Sequence, residues 1–108
     1  MPFEDVKGVF AIMPEAFNAA AAQGLKAIFQ LDITGEGGGR WNVVIDDGDC
    51  QINEGTHESP NVTLTMSTET WLGIVNRELN GIQAFLSGEL KASGDIMLAQ
   101  RIEQLFRF

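Results

Sequence analysis

Cys50, His57 and Ser59 are the side chains in this sequence that could form a pair of nucleophile and base. A thiol or hydroxyl becomes a useful nucleophile when an imidazole can accept its proton. No motif such as Gly-x-Ser-x-Gly places the serine on a nucleophile turn. We therefore interpret Cys50 as a strand residue that packs like a small apolar group, and His57 as an exposed loop residue. The sequence predicts no catalytic residues and no enzyme activity.

Two further segments could bind an ion or a phosphate group, but each lacks part of the required pattern. The run Asp46-Asp47-Gly48-Asp49 offers carboxylates, whereas a calcium loop needs about six to eight oxygen ligands at staggered spacing. The glycine-rich stretch 35–40 follows a strand but lacks the Lys-Ser/Thr ending of a phosphate-binding loop. One cysteine and one histidine cannot build a Cys/His zinc cluster. We expect turns at both places, no metal site and no cofactor.

The charge balance limits the partners. Fifteen acidic against seven basic residues give a net charge of −8, which repels nucleic acid and anionic membranes. No secretory signal and no apolar run of about 18 residues is present, and a single cysteine suits a reducing compartment. We expect a cytoplasmic protein with no nucleic-acid partner and at most transient membrane contact.

Hydrophobic periodicity predicts the elements that position these residues. Helical spacing indicates a helix over residues 3–12, a new turn from Pro14 and a short helix capped by Asn18. Alternation then predicts four successive antiparallel strands, with Asp47-Gly48 as the hairpin turn between the second and the third. The strands are predicted over residues 25–34, 40–46, 49–54 and 62–66.

The remainder of the chain is mainly helical. A helix capped by Ser67 or Thr68 carries a stripe that ends at Leu79, and a second helix begins after Asn80 and ends at Gly88. A short strand over 89–92 and a final helix capped by Gly94-Asp95 follow. These 108 residues predict one α+β domain, residues 1–108, with a five-stranded, mostly antiparallel sheet. Helices should cover one face of the sheet, and the polar face should remain in water.

The C-terminal third carries a family resemblance. The stretch Gln83-Ala84-Phe85-Leu86-Ser87-Gly88-Glu89-Leu90-Lys91-Ala92-Ser93-Gly94-Asp95, continuing into Leu98-Ala99 and Leu105-Phe106, resembles the C-terminal signature of the sterol carrier protein-2 family. Upstream, segments in the same order and spacing also resemble that family: 29–35, Gly38-Gly39-Arg40-Trp41, the Asp47-Gly48 turn, Glu54-Gly55 and 60–64. The resemblance covers essentially the whole chain.

The resemblance implies a non-enzymatic lipid carrier whose sheet and helices enclose an apolar tunnel. Fatty acids, fatty acyl-CoA, sterols or other isoprenoids are the ligands of that family. The peroxisomal tripeptide of some members is absent, which indicates a stand-alone, prokaryotic-type member acting as a monomer or homodimer. The mechanism would be partition, since each methylene that leaves water gains about 0.8 kcal/mol.

The tunnel walls are expected to come from the inward apolar residues of the strands and from the apolar stripes of the helices. These candidate ligand-binding residues are Phe29, Leu31, Trp41, Val43, Ile45, Ile52, Leu64, Met66, Trp71, Val75, Phe85, Met97, Ile102, Leu105 and Phe106.

Two alternatives belong to other classes of function. The apolar face could pair with another protein or a second subunit and bind no lipid, or a small enzyme could use His57. Composition taken alone favours an ordinary packed core over a lipid tunnel. The last helix, with Leu105 and Phe106 near its end, could serve as a door for the ligand or could simply plug the core.

Overall fold

Helices and strands follow one another along residues 3–106, the part of the chain that the computed structural model describes, apart from the side chain of residue 103. In chain order the elements are α1 (Val6–Ala16), a 3-10 helix (Ala19–Ala22), β1 (Lys26–Thr34), β2 (Gly39–Asp46), β3 (Asp49–Glu54), β4 (Val62–Ser67), α2 (Thr68–Val75), α3 (Gly81–Ser87), β5 (Leu90–Gly94) and α4 (Ile96–Leu105). This order confirms the predicted α+β fold with a five-stranded sheet.

The sheet has the order β3-β2-β1-β4-β5. Three of its neighbouring pairs are antiparallel, but β4 runs parallel to β1, with Leu31 opposite Leu64. The prediction of four consecutive antiparallel strands was therefore wrong at β4. Because β3 and β1 point the same way, the chain must first return along the sheet through residues 55–61 before β4 can begin beside β1.

The returning segment covers part of the polar face of the sheet. Gln30 is 2% exposed although it points away from the helices. Its amide nitrogen donates to the carbonyl oxygen of Gly55 at 3.2 Å, and its amide oxygen accepts from the backbone N–H of His57 at 2.9 Å. The expectation that this whole face stays in water was wrong, since a buried amide is tolerated when its hydrogen bonds are made.

On the other face, α1 fills the half of the sheet that lies over β1, β2 and β3. Val9 and Met13 are fully buried there, and the ring of Phe10 lies between two tryptophans. The ring centroid of Phe10 is 4.4 Å from that of Trp41 and 5.3 Å from that of Trp71, with both pairs stacked. This half of the molecule is a packed aromatic and aliphatic core.

Three helix boundaries differ from the predicted ones. Helix α1 begins at Val6 and not at residue 3, because the Asp5 side chain caps it by accepting from the N–H of Gly8. Helix α1 continues through Pro14 to Ala16, because a proline in the last turn sacrifices only one hydrogen bond before the helix ends. Helix α2 ends at Val75, where the Asn76 side chain leaves the helix and bonds both the N–H and the carbonyl of Phe3, at 2.7 and 2.9 Å. The predicted caps at Asn18, Ser67, Asn80 and Asp95 are confirmed.

Candidate functional site

The half of the sheet over β4 and β5 is not filled by side chains. Helices α2, α3 and α4 stand around it and leave a cavity of about 110 Å³, which we call the apolar cavity. Nearly every residue around it is apolar. Its lining is formed by Leu64, Met66, Trp71, Ile74, Gly81, Ile82, Phe85, Leu90, Ala92, Ile96, Ala99, Gln100 and Ile102.

Strand register makes the floor of this cavity. Leu64 pairs with Ala92 and Met66 pairs with Leu90, so the four side chains lie on the helix face of the two strands. Strand β5 is an edge of the sheet with no strand beyond it. The floor therefore ends at an open edge.

Helix α3 is the cover of the cavity, and it is weakly anchored. Its start is capped by the Asn80 carboxamide oxygen, which accepts from the N–H groups of Ile82 and Gln83 at 2.8 and 3.2 Å. Of its seven residues only Ala84 is buried, whereas Ile82 is 56% exposed and Leu86 is 76% exposed. A short helix with one buried side chain has low local stability, so it can move at small cost.

A second, wider cavity of about 550 Å³ adjoins the first between α2, α3 and the end of α4. Trp71, Ile74, Gly81 and Ile102 line both cavities. Four polar residues also line the wider one, which we call the mixed cavity: Arg77, Glu78, Asn80 and Gln83. The two cavities thus share one wall. The first is lined almost entirely by apolar residues, whereas the second has polar residues along one side.

The structure brings some of the predicted ligand-binding residues together. Those that line the apolar cavity are Leu64, Met66, Trp71, Phe85 and Ile102. Val75 and Phe106 line only the mixed cavity. These seven remain candidates for contact with a ligand.

The other predicted residues lie elsewhere. The strand residues packed in the core beyond both cavities are Phe29, Leu31, Trp41, Val43 and Ile45, and Leu105 of α4 is also fully buried. Ile52 is half-buried on β3, at the opposite edge of the sheet. Met97 is 79% exposed and points away from both cavities toward a shallow depression beside Leu25.

Several lining residues were not predicted. They are Ile74, Gly81, Ile82, Leu90, Ala92, Ile96, Ala99 and Gln100. One signal could have indicated the lining residues of α3. The segment Gly81-Ile82-Gln83-Ala84-Phe85-Leu86 is too apolar for a surface helix that has no second apolar neighbour.

The titratable residues do not form a reactive site. Cys50 pairs with Ile45 on the helix face, whereas the backbone of His57 bonds Gln30 on the polar face. Burial raises the pKa of the Cys50 thiol from 9.0 to about 11. The Nδ1 atom of His57 accepts from the N–H of Ser59 at 3.0 Å. Among the side chains of residues 3–106 other than that of residue 103, no three His, Cys, Asp or Glu groups lie close enough together to hold a metal ion.

Solved structures of other proteins share this architecture. The crystal structure of Sterol Carrier Protein 2 Like 2 from Aedes aegypti is similar at a TM-score of 0.71 and 26% identity, covering 91% of this chain and 89% of that one. The solution structure of its palmitated form gives 0.77 and 26%, over 94% and 93% of the two chains. A sec-alkyl sulfatase, PisA1, contains the same fold in 17% of its length, at a TM-score of 0.83 and 18% identity. The fold is therefore that of a sterol carrier protein-2 domain.

The family model of the SCP-2 sterol transfer family matches residues 10–107, and this chain belongs to that family. The rat hydroxysteroid dehydrogenase-like protein 2 is 28% identical over 104 residues, which are 95% of this chain and 20% of that protein. The mouse peroxisomal multifunctional enzyme type 2 is 32% identical over 84 residues, 75% of this chain and 11% of that protein. The chain thus spans about a fifth or less of these two relatives.

Family membership supports lipid-carrier-type binding as the general activity. A domain of this kind is a binding module and not a catalytic one, although the matched relatives include proteins named as enzymes that contain it as one part. In residues 3–106, none of the helices has the length and apolar content needed to cross a bilayer.

Proposed function

We propose that this chain binds a lipid with one long acyl or isoprenoid chain under α3 and transfers it without changing it chemically. The observation that carries the proposal is an apolar cavity at the open edge of the sheet, covered by a helix with one buried side chain. Family membership and the palmitated form of the mosquito protein support a fatty acyl ligand.

The apolar cavity at its present size is too small for such a ligand. A methylene fills about the volume of a water molecule, roughly 30 Å³, so the 110 Å³ cavity has room for about four carbons. Four buried methylenes gain about 3 kcal/mol, whereas micromolar affinity needs about 8 kcal/mol. A bound chain must therefore widen the apolar cavity and extend into the mixed cavity of 550 Å³, which adjoins it.

Helix α3 is the element that would move. The end of α4 is held from several sides: Leu105 is fully buried, its carbonyl accepts from the N–H of Asn18 at 2.7 Å, and Phe106 forms a bridge with Phe17. Opening the site at this end of α4 would expose buried core side chains. The exposed residues of α3 can leave the cavity without such a loss. The predicted door at residues 105–108 is thus disfavoured as far as residue 106, while residues 107 and 108 lie outside the described part.

Transient contact with a neutral membrane would deliver the lipid. Two apolar side chains of α3 that line the cavity are partly exposed, Ile82 at 56% and Phe85 at 41%, and Leu86 on the same helix is 76% exposed. An exposed apolar patch favours insertion into an interface, whereas the net charge of −8 disfavours anionic headgroups. We expect brief contact with zwitterionic surfaces and no stable anchoring.

The proposal treats residues 1–108 as one lipid-binding domain, as a monomer or homodimer and in a cytoplasmic compartment. The chain would then act either alone or, as in the longer relatives, as one part of a larger protein.

The test is saturable binding of a fluorescent long-chain fatty acid, followed by its release on addition of unlabelled palmitate. Low-micromolar binding with a stoichiometry of one lipid per chain is expected. The absence of saturable binding up to the solubility of the probe would overturn the proposal. Light scattering on the same samples distinguishes the alternative, because a subunit-pairing surface would give a stable dimer and no lipid binding.

A further inference from the structure

Trp71 occupies the wall that separates the apolar cavity from the mixed cavity. It lies in α2, is 5% exposed and lines both spaces. Stacking on the Phe10 ring, at 5.3 Å between centroids and 13° between planes, fixes the orientation of the indole. Because Trp71 belongs to the wall that the two cavities share, a ligand that extends from one into the other passes beside it.

The indole N–H of Trp71 is buried without a hydrogen-bond partner. It is the one fully buried side-chain nitrogen or oxygen of the described residues in that condition. Buried tryptophan N–H groups normally find an acceptor, because an unpaired donor in an apolar site loses its bond to water without compensation. The unpaired donor therefore marks a place where an acceptor from outside the chain would be stabilised.

The two cavities differ in a way that matches a molecule with two unlike ends. The lining of the apolar cavity suits a hydrocarbon tail, whereas the polar residues of the mixed cavity are Arg77, Glu78, Asn80 and Gln83. An acceptor oxygen near the head of the lipid would lie at the boundary between them. Trp71 lies at that boundary.

We propose that Trp71 recognises the lipid headgroup at this site. Its Nε1–H donates to a carbonyl, carboxylate or hydroxyl oxygen of an amphipathic lipid whose tail fills the apolar cavity. This rests on the proposed function. The donor is fully buried in the absence of ligand, so the displacement of α3 that admits the chain must also expose it to the headgroup. The ligand class is a single-chain lipid with an acceptor oxygen, in preference to a pure hydrocarbon.

Nitrogen-15 NMR of the full chain tests the hydrogen bond directly. The two tryptophans give two indole N–H signals, and Trp41→Phe leaves that of Trp71 alone. Addition of methyl laurate should move the Trp71 indole proton downfield in a saturable manner, while dodecane should fill the cavity without that shift. Equal shifts with both ligands, or no indole shift while backbone signals around the cavity respond, would overturn the inference and leave lipid binding intact.

A variant pair provides the second readout. Trp71→Phe keeps an aromatic ring but removes the donor, and we expect it to lower the affinity for methyl laurate about fivefold, the value of one ordinary hydrogen bond, while leaving that for dodecane unchanged or higher. Trp41→Phe is the matched control, since Trp41 stacks on the other side of Phe10 and lines neither cavity. It should change both affinities by the same factor.

The outcomes separate the two proposals. If Trp71→Phe loses affinity equally for the ester and the alkane, Trp71 acts through packing and the headgroup role is wrong. If neither ligand binds the wild-type chain, the lipid-carrier proposal itself fails. If Trp71→Phe does not fold, the indole shift in the wild-type chain decides the question without it.

Discussion

Filling the apolar cavity from within should weaken lipid binding at least tenfold while leaving the fold intact or more stable. Ala99 on α4 is half-buried and lines the cavity, so Ala99→Leu directs three additional carbons into the empty space. At roughly 30 Å³ for each carbon they nearly fill the 110 Å³ available.

Two independent relations give the size of the effect. Removing a cavity of 110 Å³ at about 24 cal/mol per Å³ is worth about 2.6 kcal/mol. Burying three carbons at about 0.8 kcal/mol each gives about 2.4 kcal/mol. The partly exposed side chains of α3 leave one side of the cavity near water, so the gain is smaller than either figure. We expect the free energy of unfolding to rise by about 1 kcal/mol, which corresponds to a rise of about 4–8 °C in Tm.

The affinity should fall at least tenfold, because the bound chain loses the space for about three of its methylenes. The assay is displacement of a fluorescent fatty acid, run beside thermal unfolding followed by circular dichroism. Ala11→Leu is the matched control: it makes the same change on the exposed side of α1 and should alter neither measurement. Unchanged affinity in an Ala99→Leu variant that folds and melts normally would refute this location for the ligand.

Four other outcomes are expected. In hydrogen exchange, amides of α3 should exchange at least tenfold faster than those of β1, and added fatty acid should slow them, because only Ala84 of α3 is buried. Alkylation of Cys50 should be slow below pH 9 and accelerate toward pH 11. The raised pKa means that the folded state disfavours the Cys50 thiolate. The stability that the protonated thiol contributes is therefore complete below pH 9.0, its pKa in the unfolded chain, and is lost as pH rises through about 11. Denaturation at successive pH values would show this loss. His57→Ala should leave lipid affinity within about threefold in the same displacement assay, since its bonds lie on the polar face of the sheet. Leu105→Ala should cost about 2–5 kcal/mol in urea denaturation, because that side chain is fully buried; a cost below 1 kcal/mol would return α4 to consideration as the door.

Local signals were the ones that predicted the fold well. Asp47-Gly48 between two alternating runs forms the turn between β2 and β3, with both residues at positive φ, of 45° and 91°. The cap residues Asn18, Asn80 and Asp95 begin the helices that follow them, because each cap is settled by atoms only two or three residues away. A few consecutive residues are enough to determine such turns and caps.

Long-range features were not predictable in the same way. The parallel pairing of β4 with β1 depends on the path of residues 55–61 across the sheet, and no periodicity within either strand encodes it. The burial of Gln30 has the same origin, since two of its hydrogen-bond partners, Gly55 and His57, lie 25 and 27 residues further along the chain. Neither result follows from the strand patterns alone.

The candidate site was predicted in part, for a reason that concerns packing. Phe29 and Met66 are both inward apolar residues of central strands, yet α1 covers the sheet near the first and a cavity lies above the second. Residue type is the same for a packed core and a cavity wall, and only the positions of the helices separate them. Ile74 and Ala99 were missed because nothing in their own neighbourhood distinguishes them from surface residues of a helix.

The most direct test of the central claim is to locate a bound lipid by NMR. A fatty acid with a nitroxide at the end of its tail broadens the signals of nearby nuclei. With the lipid under α3, the amide signals of Ala92 and Ala99 should broaden strongly, whereas those of Val9 and Ile45, in the packed half of the molecule, should remain sharp. Broadening confined to the packed half, or spread evenly over the surface, would contradict the account.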